Sequence, residues 1–298
     1  MQQIKALLEQ LDAIILGNPL ATKLSLVCLL ARGHLLIEDI PGVGKTTLSH
    51  ALADSLGLPY KRVQFTSDLL PTDIIGLTIY DAQSKKFQFK RGPIFTSILL
   101  ADEINRATPK SQSSLLQAME EKQVAIEGQQ IDLPSPFFVI ATQNPLEQSG
   151  TFPLPESQLD RFLMRISLGY PGAEFEKQLL MHKNKHSDIN KVLDQTQVQA
   201  LIEQVDKQYV SEAVIDYLQA LLEKTRSSGK FVTGLSPRAG LQWLQAAKSL
   251  AFIEGRDTVL PDDIKILAPY TAAHRLHCND GADSSDQLNT LINETEVL

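Results

Sequence analysis

Apolar residues in the first half of the chain follow two spacings, one typical of helices and one typical of strands. Helical spacing covers residues 4–15 and 19–31, and it returns at 47–56 and 108–121. Short apolar runs have the length of buried strands, and they lie at residues 34–37, 63–65, 98–101, 137–141 and 163–168. Because strands and helices alternate, the pattern predicts a layered α/β domain built on a largely parallel sheet.

The pattern changes after Tyr170, where a Pro-Gly pair interrupts it. No later run matches the earlier strands in apolarity, and the helical stretches that follow are 174–184, 196–206, 211–226, 236–253 and 261–276. We therefore predict an α/β core over residues 1–170 and an all-helical second domain over 171–298. The polar stretch near 279–286 is expected to be a loose loop.

Composition narrows the class of protein. The chain has 298 residues, of which 43% are hydrophobic and 21% charged, as in ordinary soluble globular proteins. Its 28 Lys and Arg against 35 Asp and Glu give a net charge of −7, which disfavours general binding to nucleic-acid backbones. Cys28 and Cys278 form no CxxC pair, and no signal peptide or membrane-spanning run is evident. A cytoplasmic protein without membrane insertion is expected.

The segment 39–47, with the sequence DIPGVGKTT, lies between a predicted strand and a predicted helix, where a phosphate-binding loop belongs. Gly42 and Gly44 would let backbone N–H groups curl around phosphate oxygens at the positive end of the helix dipole. Lys45 would reach the β- and γ-phosphates, and the Thr46 hydroxyl would bind Mg²⁺. The other predicted nucleotide-binding residues of this segment are Pro41, Val43 and Thr47.

Asp39 departs from the strict phosphate-loop motif, which has glycine at that position. A carboxylate facing phosphates would be repelled, so we expect its side chain to point away from the loop. A chance strand–turn–helix containing Gly-Lys-Thr is the alternative for the segment taken alone.

Polar residues end two of the later predicted strands. Asp102 and Glu103 follow the run 98–101, and Asp102 lies 57 residues after Lys45 (102 − 45). Asp102 is expected to hold Mg²⁺ directly or through water, and Glu103 to polarise the attacking water as a general base. Asn144 follows the next strand and would orient that water or touch the γ-phosphate. As an isolated Asn before Pro, it would more often be a turn residue.

Four segments together resemble the MoxR-type AAA+ ATPases. They are the phosphate loop, LLADEINRA at 99–107, ATQNP at 141–145 and LPESQLDRF at 154–162, and the resemblance extends over nearly the whole chain. It implies a P-loop NTPase core of the AAA+ type with a C-terminal helical lid. It also implies Mg²⁺-dependent ATP hydrolysis by a homo-oligomer, expected to be a hexameric ring. An aspartate at position 39 is compatible with this family.

The resemblance assigns roles to further residues. Asn144 matches sensor 1, Arg161 matches the arginine finger that reaches a neighbouring subunit's nucleotide, and Arg238 matches sensor 2 in the lid. The hydrophobic adenine-side segment is matched by Ile15, Leu16 and Gly17. From the sequence alone, Arg161 would more often be an ordinary ion-pair partner of a nearby acid.

Two polar hairpins, predicted at 77–90 and 124–133, match insertions that in this clade project toward the ring pore or an interface.

The biological activity implied by the family is chaperone-like remodelling or metal-cofactor insertion in a client protein, often with a von Willebrand factor A-domain partner. Two alternatives stay open, a nucleotide-gated scaffold with little turnover and a DNA-acting AAA+ ring. The intact Glu103 and Arg161 favour hydrolysis over the scaffold, and the acidic charge balance disfavours DNA.

Overall fold

Five strands form a parallel central sheet in the computed structural model, which describes residues 2–146, 150–181 and 189–296. The strands of the chain are β1 Leu35–Glu38, β2 Tyr60–Gln64, β3 Gly76–Asp81, β4 Lys86–Arg91, β5 Ile98–Asp102, β6 Gln123–Ile126, β7 Gln129–Asp132, β8 Phe138–Gln143 and β9 Met164–Ile166. The sheet has the order β2-β5-β8-β1-β9, and each neighbouring pair is parallel. The predicted α/β core is therefore confirmed.

Helices cover both faces of the sheet and make up the C-terminal part. They are α1 Gln2–Ile14, α2 Pro19–Leu30, α3 Lys45–Ser55, α4 Pro71–Ile75, α5 Pro109–Glu121, α6 Glu156–Leu159, α7 Ala173–Met181, α8 Gln195–Asp206, α9 Glu212–Ser227, α10 Pro237–Ile253, α11 Pro261–Thr271 and α12 Ser284–Asn293. Of the predicted helix 174–184, residues 182–184 lie outside the described residues. The C-terminal helical lid is confirmed.

The register of the sheet brings the carboxyl ends of its central strands to one edge. Glu38 pairs with Gln143, and Gln64 pairs with Asp102. The loop after β1 and the residues that follow β5 and β8 therefore share this edge, where open parallel sheets bind their ligands.

Two antiparallel hairpins, β3–β4 and β6–β7, stand apart from the central sheet as the sequence predicts. The first presents aromatic side chains to solvent: Phe87 is 73% exposed and Tyr80 is 56% exposed. Their rings touch edge to face with centroids 5.3 Å apart. Together the two rings form a small apolar patch on the surface of this hairpin.

The end of the chain differs from the prediction. The stretch near 279–286 was expected to be loose, but α12 begins at Ser284. The Asp283 carboxylate accepts hydrogen bonds from the N–H groups of Ser285 and Asp286 and so caps the helix. The helix buries Leu288, Leu291 and Ile292, whose helical spacing was the missed signal.

The helix predicted over 261–276 is shorter than expected. The structure ends α11 at Thr271, and a 3₁₀ turn over Ala273–Arg275 follows. Pro269 lies inside the last turn of α11, where it cannot donate a backbone hydrogen bond, and this weakens continuation of the helix.

The lid helices share one continuous hydrophobic cluster with α1, α2 and one face of the sheet. Trp243 of α10 is almost fully buried in it, and its indole N–H donates to the carbonyl of Ile264 in α11 at 3.0 Å. The proposed division at residue 170 stays a prediction. In the described part of the chain, no helix combines the length and apolarity needed to cross a membrane.

Candidate functional site

The loop between β1 and α3 is shaped by two glycines in the left-handed region. Gly42 has φ 87° and Gly44 has φ 97°, values that other residues adopt only with strain. Apart from the adjoining residues of the loop, no heavy atom of the described part of the chain lies within 4 Å of the position a Cβ would take at either glycine. Gly44 is the N-cap of α3, so the loop leads directly into a helix N-terminus. The backbone therefore surrounds open space at the positive end of a helix dipole, a geometry suited to an anion.

Lys45 opens α3 and spans this loop. Its Nζ donates to the carbonyl oxygens of Asp39 at 2.6 Å and Ile40 at 3.1 Å. Partial burial lowers the pKa of the Lys45 ammonium, and the nearby carboxylates of Asp39, Asp102 and Glu103 oppose that shift. The lysine is thus held beside the glycine-lined space, where a phosphate would be bound.

Asp39 is buried and points away from the loop interior, as expected. Its Oδ2 accepts hydrogen bonds from Ser167 Oγ at 3.1 Å and from the N–H groups of Leu168 at 2.6 Å and Gly169 at 2.8 Å. Its Oδ1 accepts from the N–H of Ile40 at 3.0 Å. This carboxylate therefore fastens the loop to the segment that follows β9.

Asp102, the last residue of β5, is buried at the same edge of the sheet. Thr142 of β8 donates its hydroxyl to Oδ1 at 2.6 Å. The guanidinium of Arg62, on β2, donates to Oδ2 from Nη2 at 2.7 Å and from Nε at 3.2 Å. Both carboxylate oxygens are thereby oriented, one by a hydroxyl and one by a cation.

Glu103 has φ 55°, a left-handed conformation that is strained for a glutamate and that recurs at functional sites. Its N–H donates to Thr142 Oγ1 at 2.9 Å, so one threonine hydroxyl holds both acids. Its Oε2 accepts hydrogen bonds from Gln64 Nε2 at 2.7 Å and Arg106 Nη1 at 2.9 Å. These contacts fix the carboxylate in a defined direction.

A cavity of about 380 Å³ joins these groups. Its lining comprises Pro41, Gly42, Gly44, Lys45, Thr46, Thr47, Arg62, Gln64, Asp102, Glu103 and Asn144. Asn144 also acts as a turn residue, since its Oδ1 accepts from the N–H of Leu146 at 3.1 Å. The structure therefore brings together the phosphate loop, the paired acids and the amide that the sequence indicated.

A second cavity of about 210 Å³ lies on the other side of the loop. Ile15, Leu16 and Val43 are among its lining residues, beside Leu168. Gly17 does not line it; this glycine has φ 84° and lies against the ring of Phe175. Two of the three residues predicted to lie on the adenine side, Ile15 and Leu16, are therefore beside the loop.

Arg161 and Arg238 lie elsewhere, and both bind the carboxylate of Glu120. Arg161 Nε is 2.9 Å from Oε2, and Arg238 Nη1 is 2.6 Å from Oε1. His34, immediately before β1, has its Nε2 3.2 Å from the carbonyl of Met119, so this end of α5 lies at the amino end of the strand. The phosphate loop follows the carboxyl end. Neither arginine therefore lines the cavity of its own subunit.

Comparison with known proteins shows the family to which the chain belongs. The model for the ATPase family associated with various cellular activities (AAA) matches residues 34–164, and the AAA lid domain matches 223–294. Chaperone MoxR1 of Mycobacterium tuberculosis is 40% identical over 277 residues, covering 90% of this chain and 74% of that protein. Protein MoxR of Paracoccus denitrificans is 32% identical over 293 residues, covering 89% and 86%. The chain belongs to the MoxR family of AAA+ ATPases.

Two further comparisons show similarity over most or all of the chain. The uncharacterized protein YeaC of Bacillus subtilis is 44% identical over 271 residues, covering 90% of this chain and 85% of that protein. A crystal structure from Cytophaga hutchinsonii, provisionally named an ATPase, superposes with a TM-score of 0.92 at 35% identity. The match covers 100% of this chain and 95% of that one.

Membership of the AAA+ family implies nucleotide binding, and the donor set of the site suits a hard cation. Thr46 and Asp102 offer oxygen atoms at one cavity, as Mg²⁺ prefers. Within the described residues, no group of three or more His, Cys, Asp and Glu side chains is arranged to hold a metal. Mg²⁺ is usually bound by one or two protein oxygen ligands together with substrate phosphates and water, and Thr46 and Asp102 would be those protein ligands.

Sequence reasoning missed three residues of this MoxR site or assigned them no role. Arg62 and Gln64 come from β2, and Thr142 lay inside a quoted motif without a function. Only the neighbouring positions of β2, β5 and β8 reveal them, because parallel strands far apart in sequence place these side chains together. Arg106 had no resolved role, and the structure pairs it with Glu103.

Proposed function

We propose that this MoxR-family protein hydrolyses ATP with Mg²⁺ at the cavity beside the phosphate loop. The observation that carries the proposal is the shared cavity of Lys45, Thr46, Asp102 and Glu103. Phosphoryl transfer to water requires three components, and this cavity contains all of them. They are loop amides with a lysine to bind phosphates, oxygen ligands for a cation, and an oriented carboxylate to activate water.

Each residue has a distinct task in this proposal. Lys45 and the N-terminus of α3 offset negative charge that develops on the transferring phosphoryl group. Thr46 and Asp102 would hold Mg²⁺, which would neutralise part of the phosphate charge. Asn144 orients the water, and Glu103 accepts its proton as the water oxygen attacks the γ-phosphorus. The bond from the γ-phosphorus to the β–γ bridging oxygen breaks, and ADP leaves with phosphate as the other product. Ile15 and Leu16 would border the adenine ring, whereas Gly17 lies outside that cavity.

The arginines support a homo-oligomer, which we propose to be a hexamer. Arg161 and Arg238 lie at the amino end of β1 and the phosphate loop lies at its carboxyl end, so each subunit's arginines are remote from its own loop. An arginine finger acts on phosphates directly, and so Arg161 would complete a neighbouring subunit's site. Such a finger contributes about 10³–10⁵ in rate. Because Arg238 is also remote from its own loop, the γ-phosphate to which it would couple the lid is that of the neighbouring subunit.

We propose chaperone-like remodelling of a client protein in the cytoplasm as the output, with metal-cofactor insertion as a specific form of it. The name of the relative Chaperone MoxR1 supports the first of these. The exposed Phe87 and Tyr80 of the β3–β4 hairpin support a surface that handles other proteins. A von Willebrand factor A-domain protein is the proposed partner.

Glu103→Gln tests the catalytic assignment. The amide keeps the size of the side chain but cannot accept the proton, so hydrolysis should fall by about 10²-fold or more, the range for a general base. ATP binding, measured by calorimetry with Mg²⁺, should persist, because the loop and Lys45 are unchanged. Glu121→Gln, an exposed change on α5, is the matched control.

Three results would contradict the proposal in different ways. Normal turnover by Glu103→Gln would remove Glu103 as the base. Failure of the unmodified protein to bind ATP would exclude the site. Background phosphate release at every protein concentration would instead favour the nucleotide-gated scaffold.

A further inference from the structure

Glu120, next to the last residue of α5, joins two arginines that come from distant parts of the chain. Its two carboxylate oxygens take one guanidinium each, Arg161 from the turn before β9 and Arg238 from the first turn of α10. Arg161 belongs to the core and Arg238 to the lid. One carboxylate therefore connects the proposed finger to the lid.

Charge explains why a carboxylate is needed here. Two guanidinium groups repel each other, and an anion between them allows both to stay close. Hydrogen bonding from Arg161 lowers the pKa of Glu120, with Arg238 adding to the effect against the opposing influence of burial. The carboxylate is therefore charged at neutral pH, and it offsets part of the repulsion.

The atoms used in the contact leave the finger available. Glu120 binds Arg161 through Nε, so the two terminal nitrogens, which a phosphate would contact, lie outside this bond. A contact of this kind orients an arginine without occupying the end that acts.

The backbone around Arg161 is held by the lid as well. Arg275, in the 3₁₀ turn after α11, donates from Nη2 to the carbonyl of Phe162 at 2.7 Å and of Asp160 at 3.3 Å. Its guanidinium also pairs with the Asp160 carboxylate at 3.1 Å, and its side chain is only 4% exposed. Lid residues thus fix both the main chain on either side of the finger and, through Glu120, its side chain.

We propose that Glu120 is a positioning residue that aims Arg161 toward the nucleotide of the neighbouring subunit and ties that aim to the lid through Arg238. The inference rests on the proposed function, in which Arg161 acts on another subunit's site. Glu120 does not line its own subunit's cavity, so its removal should leave nucleotide binding by that subunit intact.

Mixed assemblies test this directly. A Lys45→Ala subunit has a disabled loop but an intact Glu120 and Arg161, so it can supply a correctly aimed finger to a neighbour. Glu120→Ala alone should lower kcat by about tenfold or more with the KM for ATP changed by less than about threefold, since the contact serves catalysis and not binding. Adding Lys45→Ala subunits should raise its turnover severalfold.

Controls separate aiming from folding. Arg161→Ala should show the same pattern with a deeper loss, and Glu121→Ala, one residue along α5, should behave like the unmodified protein. Glu120→Gln retains one acceptor oxygen without the charge and should be intermediate. If Glu120→Ala has a lowered melting temperature, Glu120→Gln takes its place in the mixing experiment. Mixing is verified by co-purification through a tag on one variant.

Wild-type turnover by Glu120→Ala would overturn the inference. So would a loss that Lys45→Ala subunits fail to relieve while they do relieve Arg161→Ala, because Glu120 would then act by another route. If Arg161→Ala itself retained full turnover, the proposed finger would fail, and the dependent role of Glu120 would fail with it.

Discussion

Replacing Asp39 by asparagine tests how the phosphate loop is anchored to the rest of the core. The buried carboxylate accepts four hydrogen bonds, three of them through Oδ2, from residues 167–169. An asparagine has the same shape but only one acceptor oxygen, and its NH₂ group is a donor. Whichever way the amide turns, at least one N–H donor faces another donor.

The stability lost in Asp39→Asn follows from these hydrogen bonds. In the better orientation, the amide oxygen takes the place of Oδ2, and the N–H of Ile40 loses its acceptor at about 1–3 kcal/mol. The three remaining bonds lose their charge assistance, which makes them about half as strong. At the low end of these ranges the sum is about 3 kcal/mol, which for a chain of this size lowers the melting temperature by roughly 5 °C.

Thermal melts and nucleotide titrations check this prediction. Because Leu168 and Val43 border the second cavity, loosening the loop from residues 167–169 should also weaken nucleotide binding by about tenfold, or about 1.4 kcal/mol. Asp132→Asn, an exposed change at the end of β7, is the control. A melting temperature for Asp39→Asn equal to that of the control would refute the anchoring role.

Two further predictions concern buried charge. Burial lowers the pKa of His34 to about 4, from an ordinary value of 6.5, and its Nδ1 accepts from the N–H of Val139 at 3.0 Å. The neutral imidazole therefore contributes its full stabilisation above about pH 6.5, and this contribution is lost as the pH falls toward 4. Between about pH 7 and about pH 5, the free energy of unfolding should fall by about 2 kcal/mol. Urea unfolding at several pH values in this range measures the loss of unfolding free energy, which should be smaller in His34→Gln than in the unmodified protein. The same dependence of unfolding free energy on pH in both proteins would contradict the prediction. Arg256→Met would leave the carboxylate of Asp263, 2% exposed, without its cation, and should cost about 3 kcal/mol. An unchanged unfolding midpoint would exclude that role.

The strand–helix alternation and the phosphate loop were predictable because they are local. Gly42, Gly44, Lys45 and Thr46 lie within five consecutive residues, so their geometry depends on one turn and one helix start. The apolar run ending in Asp102 and Glu103 is equally short. Both could be interpreted before any tertiary contact was known, since strand and loop signals arise from neighbours in the chain.

Local signals did not suffice where weak elements depend on packing. The stretch containing α12 is polar at its start, and its helix is stabilised by burial of Leu288, Leu291 and Ile292 against the lid. The sequence contains their spacing, but three apolar residues in a polar stretch favour a helix only when a partner surface exists.

By itself, the sequence determined the class of fold, the phosphate loop and the two acids, all of which follow from contiguous residues. Only the tertiary structure decided that Thr142 holds Asp102 and Glu103 together, that Gln64 reaches Glu103, and that Glu120 gathers Arg161 and Arg238. These contacts join residues that are distant in the chain. They depend on strand order and helix docking, which arise from the packing of the whole molecule rather than from local spacing.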